Sequence, residues 1–259
     1  MVECNQCLDY YGNVDKRTMR KAAQNGHVKC MAAAYRSGQD WPSKITCWAA
    51  QYGKLDCMVY AHENGAKWHS ETIDYAIDEG HVECMKYAYE NGAVIGSQAT
   101  RVAVARGNME CLKYVCERGA ALRAYVTFLA AQMNTIDILK YVHENGAPWD
   151  KDTMSGPALS GHLDLMVYAH ENGAPWHEDT TFFAASKGNL KCLIYAHENG
   201  APWAPETTKA ACYDSGSLEC LIYAHENGAP WDPRTLCFAQ MYGRADRLKY
   251  ALEHGAELM

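Results

Sequence analysis

The sequence predicts an all-α solenoid of stacked antiparallel helix pairs, and three observations predict it. A glycine recurs every 27 residues, at Gly38, Gly65, Gly92, Gly119, Gly146, Gly173, Gly200, Gly228 and Gly255, with one step of 28. A second glycine keeps the same beat at Gly26, Gly53, Gly80, Gly107, Gly161, Gly188, Gly216 and Gly243, with Asn134 in the slot that lacks it. Between these markers apolar residues fall at helical spacing, and no strand signal separates the repeats. A period of roughly 20 to 50 residues is the mark of a solenoid, in which a repeat too small to bury its own apolar face stacks on its neighbours. Two fixed glycines per period give two short helices per repeat.

Taken in chain order, the array spans 1–259. It opens on a half-repeat, 1–12, because Val2-Glu3-Cys4 with Gly12 matches Val82-Glu83-Cys84 with Gly92. Eight repeats follow over 13–228, and 229–259 forms a capping repeat. The first helix of each repeat is short. It carries the small pairs Ala22-Ala23, Ala49-Ala50, Ala130-Ala131 and Ala184-Ala185 just before the inner glycine, where two helices must approach closely. Asp150, and Asp232 followed by Pro233, are predicted helix N-caps, the latter with proline at the first helical position. The second helix shows a stripe at three-to-four spacing, as at Leu190, Leu193, Ile194 and Ala196. Its end, Glu198-Asn199-Gly200, suits a left-handed glycine, and His197 in the last turn suits the helix dipole. Two positions break the pattern. Pro157, beside Gly156, predicts a kinked or shortened first helix, and Arg247, in an otherwise apolar or cysteine slot, predicts a water-facing cap.

The composition fits a folded, acidic protein: 259 residues, 48% hydrophobic, 24 basic against 31 acidic side chains, formal net charge -7. No basic cluster exceeds the pairs Lys16-Arg17 and Arg20-Lys21, so neither nucleic acid nor an anionic membrane is an expected partner. No apolar run reaches the roughly 18 residues of a spanning helix, and Met1-Val2-Glu3-Cys4-Asn5 lacks the plan of a signal peptide. The expected location is cytoplasmic, with nuclear residence and virion association as alternatives, and the 12 cysteines are read as reduced thiols.

Residues 184–193, Ala-Ala-Ser-Lys-Gly-Asn-Leu-Lys-Cys-Leu, ending in Asn199-Gly200-Ala201, resemble the two-helix core of an ankyrin repeat, and the resemblance runs through nearly the whole chain. An ankyrin repeat has about 33 residues and a Thr-Pro-Leu-His opening. This repeat is shorter and has no such opening, so the β-hairpins are expected to be shortened or absent. The string His-Glu-Asn-Gly-Ala-Pro-Trp, starting at His143, His170, His197 and His225, is similar to the divergent ankyrin-like arrays of large DNA viruses of amoebae. That resemblance implies a protein-interaction scaffold aimed at host factors.

No residue pattern calls for an enzyme or a cofactor. Cys30, Cys57, Cys84, Cys111, Cys192 and Cys220 share one slot in the second helix, which Ile138 and Leu165 fill elsewhere, as a core position allows. Equivalent atoms in stacked repeats lie roughly 10 Å apart, beyond the ~7 Å Cα limit of a disulfide and beyond shared zinc ligation. Cys4 and Cys7 form a C-x-x-C with no second pair to match it, so no metal site is expected. His62, His143, His170, His197 and His225 end their helices with no fixed nucleophile beside them and are read as capping and packing residues. Phosphate-cradle, zinc-protease and serine-hydrolase motifs are absent. Trp41, Trp68, Trp149, Trp176, Trp203 and Trp231 occupy one loop slot and are expected to stack along one edge. Ile95 and Leu122 replace them in adjacent repeats, predicting a change of curvature there.

Function is expected where the repeat does not repeat, on the exposed, concave side of the first helices, five, two and one residues before the inner glycine. Those slots hold Trp48, Gln51, Tyr52, Tyr75, Asp78, Glu79, Val102, Arg106, Leu129, Gln132 and Met133, and later Phe183, Lys187, Phe238 and Tyr242. Aromatic residues mixed with Arg and Met match the composition of interface hot spots. Trp48, Phe183 and Phe238 suit the inter-repeat core equally well. The partner is therefore an unidentified protein. The alternative is a structural role, in which the array associates with itself as a homo-oligomer or a virion layer.

Overall fold

The computed structural model describes residues 16–257, all helices and short connections, with no strand among them. The chain divides into two compact units, Met1–Ala121 and Leu122–Met259. The first holds α1 (Lys16–Asn25), α2 (Val28–Arg36), α3 (Ile45–Gln51), α4 (Leu55–Glu63), α5 (Thr72–Asp78), α6 (Val82–Glu90), α7 (Ala99–Ala105) and α8 (Met109–Glu117). The second holds α9 (Tyr125–Gln132), α10 (Ile136–Glu144), α11 (Ser155–Ser160), α12 (Leu163–Glu171), α13 (Asp179–Ser186), α14 (Leu190–Glu198), α15 (Thr207–Ala211), α16 (Leu218–Glu226), α17 (Thr235–Met241) and α18 (Ala245–Glu253). Odd numbers are first helices and even numbers second helices. Within each unit a helix packs on its own partner and on its equivalents in the neighbouring repeats. The half-repeat 1–12, with Cys4 and Cys7, lies outside the described residues.

The alanine pairs are fully buried, as the close approach of first helices requires. In the second helices the buried stripe runs through Cys192, Leu193 and Ala196, while Leu190 and Ile194 are only half-buried. α14 closes as expected: Gly200 takes φ 88°, and the Ala201 amide bonds the Ala196 carbonyl at 2.9 Å. Asn134, with φ 54°, is the one non-glycine in the left-handed region among the described residues, in the glycine slot that the sequence leaves unfilled.

A threonine ladder ties the first helices together. Thr46 and Thr72 lie 2.9 Å apart, Thr127 and Thr153 3.2 Å, Thr181 and Thr207 3.3 Å, Thr208 and Thr235 3.2 Å. The ladder also fixes the incoming loops. Thr127 accepts from the Asp150 amide at 3.1 Å and donates to the Pro148 carbonyl at 3.2 Å. These hydroxyls pair polar groups that would otherwise be buried unsatisfied beneath the loops.

Two expectations need correction, and a third, the shortened helix at Pro157, holds for a different reason. Asp150 and Asp232 do not cap helices. Their carboxylates accept from the Asp152 and Arg234 amides, at 2.9 and 2.8 Å, and so cap a turn that precedes helices beginning only at Ser155 and Thr235. Pro157 shortens its helix without paying the interior cost, because α11 starts at Ser155 and the ring falls in its first turn, where no amide donor is required. Arg247 does not face water: it is 7% exposed, and its guanidinium donates to the Tyr213 and Gly216 carbonyls at 2.7 and 2.6 Å. The reason is the 28-residue step. The extra residue ends α15 early, at Ala211, and throws 212–216 into a turn where Gly216 lies against the Ala211 carbonyl with no room for a side chain. Arg247 fills the position of the regular thiol and holds that turn.

Candidate interaction surface

The repeated aromatic residues face one another rather than a ligand. Four His–Trp pairs stack within one repeat boundary, with ring centroids 4.6 Å apart for His62 and Trp68, 4.3 Å for His143 and Trp149, 4.6 Å for His197 and Trp203, and 4.7 Å for His225 and Trp231, and a fifth, His170 and Trp176, is tilted at 4.9 Å. The tyrosine of the next second helix meets both rings edge-on, as Tyr223 does at 5.7 Å from His197 and 6.4 Å from Trp203. Indoles therefore do not stack on indoles. Each Nε1–H donates instead to the carbonyl at the end of the next second helix, Trp68 to Asn91 and Trp149 to Asn172, both at 2.8 Å. The Tyr195, Tyr223 and Tyr250 hydroxyls stand 3.0 Å from Nδ1 of His170, His197 and His225. Burial, then the carboxylate of the preceding repeat's glutamate, pushes these phenols up and keeps their protons available to donate. His143 Nδ1 is the exception, with no hydrogen-bond partner. The slot histidines and tryptophans thus hold neighbouring repeats together.

The six slot cysteines are buried. Burial pushes the Cys57 thiol up to about 12 and those of Cys84, Cys111 and Cys192 to about 11. Such thiols are poor nucleophiles. No group of three or more His, Cys, Asp or Glu side chains placed to hold a metal ion occurs among the described residues. None of their helices is long and apolar enough to cross a membrane.

The variable slots divide by position. One residue before the inner glycine, Tyr52, Glu79, Arg106, Met133, Lys187 and Tyr242 are all exposed, Tyr52 and Met133 at 45% and 47%. Two residues before it, Gln51 and Asp78 are half-buried and Gln132 is exposed. Five residues before it, Trp48, Tyr75, Val102, Phe183 and Phe238 are half-buried and Leu129 is buried, so that slot serves the seam between first helices as much as the surface. In the first unit, Arg106 forks onto Asp78 at 2.8 and 2.9 Å, tying α7 to α5, and the Arg20 guanidinium lies 5.1 Å from the Trp48 ring. In the second unit the irregular turn after α15 projects Tyr213 onto this face. Tyr213 meets Phe182 at 6.1 Å, Phe238 at 5.4 Å and Tyr242 at 6.0 Å, a continuous aromatic run across three first helices.

Sequence reasoning missed two contributors to this face. Tyr213 falls outside the counted slots because its repeat carries the extra residue. Gly156 occupies the five-before slot itself, buried against the Gln132 backbone, and beside it lies a groove of about 350 Å³ lined by Phe128, Leu159 and Phe183.

No protein-family model matches the sequence, and no curated protein matches it. The backbone does find a solved counterpart. The crystal structure of the human ASB11 ankyrin repeat domain is similar over 72% of this chain and 99% of that one, with a TM-score of 0.58 and 18% identity. The fold is that of an ankyrin repeat domain. The short ankyrin-like repeat replaces the hairpin with the Ala-Pro-Trp loop, whose indole makes the inter-repeat bond described above.

Proposed function

We propose that this ankyrin-type array is a non-enzymatic scaffold that binds a protein partner through the exposed face of its first helices, in the cytoplasm. Folds of this kind generally serve as interaction surfaces. The supporting observation is the contrast between two sets of side chains. The recurring His, Trp, Tyr and Thr spend their polar groups on neighbouring repeats, whereas the one-before slot is exposed in every repeat named and varies among Tyr, Glu, Arg, Met and Lys. Evolution of a stacking position restricts its chemistry, and freedom there marks a surface that can be fitted to a partner. The His-Glu-Asn-Gly-Ala-Pro-Trp signature supports a host factor as that partner. The test is affinity capture from amoebal lysate with the parent and with Tyr52→Ala, Met133→Ser and Tyr242→Ala, all outside the core. A protein retained by the parent and lost by a variant of unchanged circular dichroism supports the reading. Identical recovery removes this face.

Self-association is the second reading. It rests on the apolar exposure of the last described repeat, where Met241 is 64% and Leu252 54% exposed. Light scattering that shows a monomer at all micromolar concentrations excludes it.

A further inference from the structure

The groove at Gly156 has a shape and a charge of its own. The slot it occupies carries Trp48, Tyr75, Leu129, Phe183 and Phe238 in other repeats, and Val102 and Ala211 in two more, so Gly156 and Ala211 are the positions of the second unit's row that hold no large side chain. The floor is close-packed, since a side chain at Gly156 would stand 3.0 Å from the Gln132 backbone. α11 is thereby pressed against α9, and the volume above it, about 350 Å³, is bounded by Phe128 on one side and Phe183 on the other. That is the lower end of the size range of ligand pockets, with room for one ring between two others.

The rim is acidic. Asp152 and Asp179 stand at its mouth beside Lys151 and His177. Lys151 reaches Asp152 at 3.4 Å with 76% of its side chain in solvent, a pairing worth little, and the His177 Nδ1 accepts from the Asp179 amide at 3.2 Å. The surroundings reinforce the sign. Residues 122–259 carry ten Lys and Arg against seventeen Asp and Glu, net -7, whereas 1–121 carry fourteen of each and are neutral. The whole formal charge of the protein belongs to the unit that holds the groove.

Resting on the scaffold reading above, we infer that this groove is the specificity pocket of the second unit, and that it takes an aromatic side chain of a partner protein flanked by arginine or lysine. The ring inserts above the contact of α11 with α9 and packs edge-on against Phe128 and Phe183. The flanking cations reach Asp152 and Asp179, and the field of the unit speeds their approach.

The test uses the full-length protein and three fluorescein-labelled heptapeptides: Gly-Ser-Arg-Trp-Arg-Ser-Gly, the same with Ala for Trp, and the same with Glu for both Arg. Fluorescence anisotropy is expected to show saturable binding of the first, at least tenfold tighter than either control and weakening with added salt. Asp152→Asn with Asp179→Asn should weaken it about tenfold, and Leu159→Trp, which fills the groove from its own wall, should abolish it. Both variants are checked by circular dichroism, and the charge variant stands in should the filled one misfold. Equal binding of the alanine peptide, no saturable binding of the first peptide, or retention by a folded Leu159→Trp protein overturns the inference. Binding lost on Tyr52→Ala but kept by Leu159→Trp also overturns it, while leaving the scaffold reading in place on the first unit.

Discussion

The Arg247 guanidinium donates to the Gly216 carbonyl at 2.6 Å, reaching from the last described helix into the turn made by the single extra residue of the array. A second bond, to Tyr213, makes the pair a clamp on a buried, irregular backbone. Removing the arginine leaves two buried carbonyls without donors, each costing about 1–3 kcal/mol. Arg247→Cys, which restores the regular residue of that slot, should therefore destabilise the protein by about 2–4 kcal/mol in urea titration. Deleting Ser215 returns the repeat to 27 residues, and in that background the same substitution should cost much less. Equal losses in both backgrounds would show that the arginine acts independently of the insertion.

The indole bonds predict a separation of ring from N–H. Trp203 donates to the Asn227 carbonyl at 3.0 Å and stacks on His197. Trp203→Phe keeps a ring and removes the donor, and should cost about 0.5–1.5 kcal/mol; Trp203→Ala removes both and should cost about 3 kcal/mol or more. Chemical denaturation of the two variants checks the order.

Acid sensitivity should carry two opposite signatures. Asp232 is buried, which by itself raises its pKa, but bonds from Arg234 and Lys209 outweigh burial and leave it lowered. A lowered folded value means stability that is present above the ordinary carboxyl pKa and lost as pH falls through the folded one. Asp232→Asn should flatten that acid loss, and should also weaken the protein at neutral pH by leaving the buried Lys209 without its counter-ion. Asp74 behaves the other way. Burial, then the Glu71 charge, raises its pKa, and its Oδ1 has no hydrogen-bond partner. Asp74→Asn should be more stable than the parent at neutral pH, with the difference closing as pH falls through the raised value and Asp74 becomes neutral. Urea midpoints of the three proteins across pH 3 to 7 read both effects.

Thiol accessibility should sort the cysteines. Cys237 is exposed, whereas Cys57 and Cys212 are buried, with burial pushing both thiols up to about 12. Alkylation at pH 8 followed by peptide mass spectrometry should label Cys237 first and the other two only under denaturing conditions. Early labelling of Cys57 would mean that α4 separates from the first helix that carries Ala22 in the native state.

The architecture could be read from periodicity because glycines at left-handed positions and alanines at close approaches are dictated by backbone geometry, which leaves the same mark in each repeat. The seam was half visible. Each slot histidine stands six residues before a tryptophan, as His62 before Trp68 and His197 before Trp203, but Tyr35 also precedes Trp41 while Tyr89 precedes Ile95, so the partner of the indole is not fixed by the slot alone. The threonine ladder left a weaker trace, since Thr46 and Thr127 stand seven residues before the inner marker and Thr72 and Thr153 eight. Arg247 was misread because its partner lies 31 residues upstream in a turn created by an insertion, and no local pattern connects the two. The sequence leaves Trp48, Phe183 and Phe238 of the five-before slot open between surface and inter-repeat core, because their burial depends on how far neighbouring first helices approach, which spacing along one chain does not give.

The outer glycines carry one more implication. At Gly200, φ is 88° and no heavy atom lies within 4 Å of where a side chain would stand, so crowding does not exclude a side chain there. What excludes it is handedness. A D-alanine placed at position 200 by chemical ligation would sit in its own preferred basin and would restrict the unfolded chain. The array is thus built from natural residues around a set of positions whose ideal occupant has the opposite chirality, and glycine, which has no hand, stands there in its place.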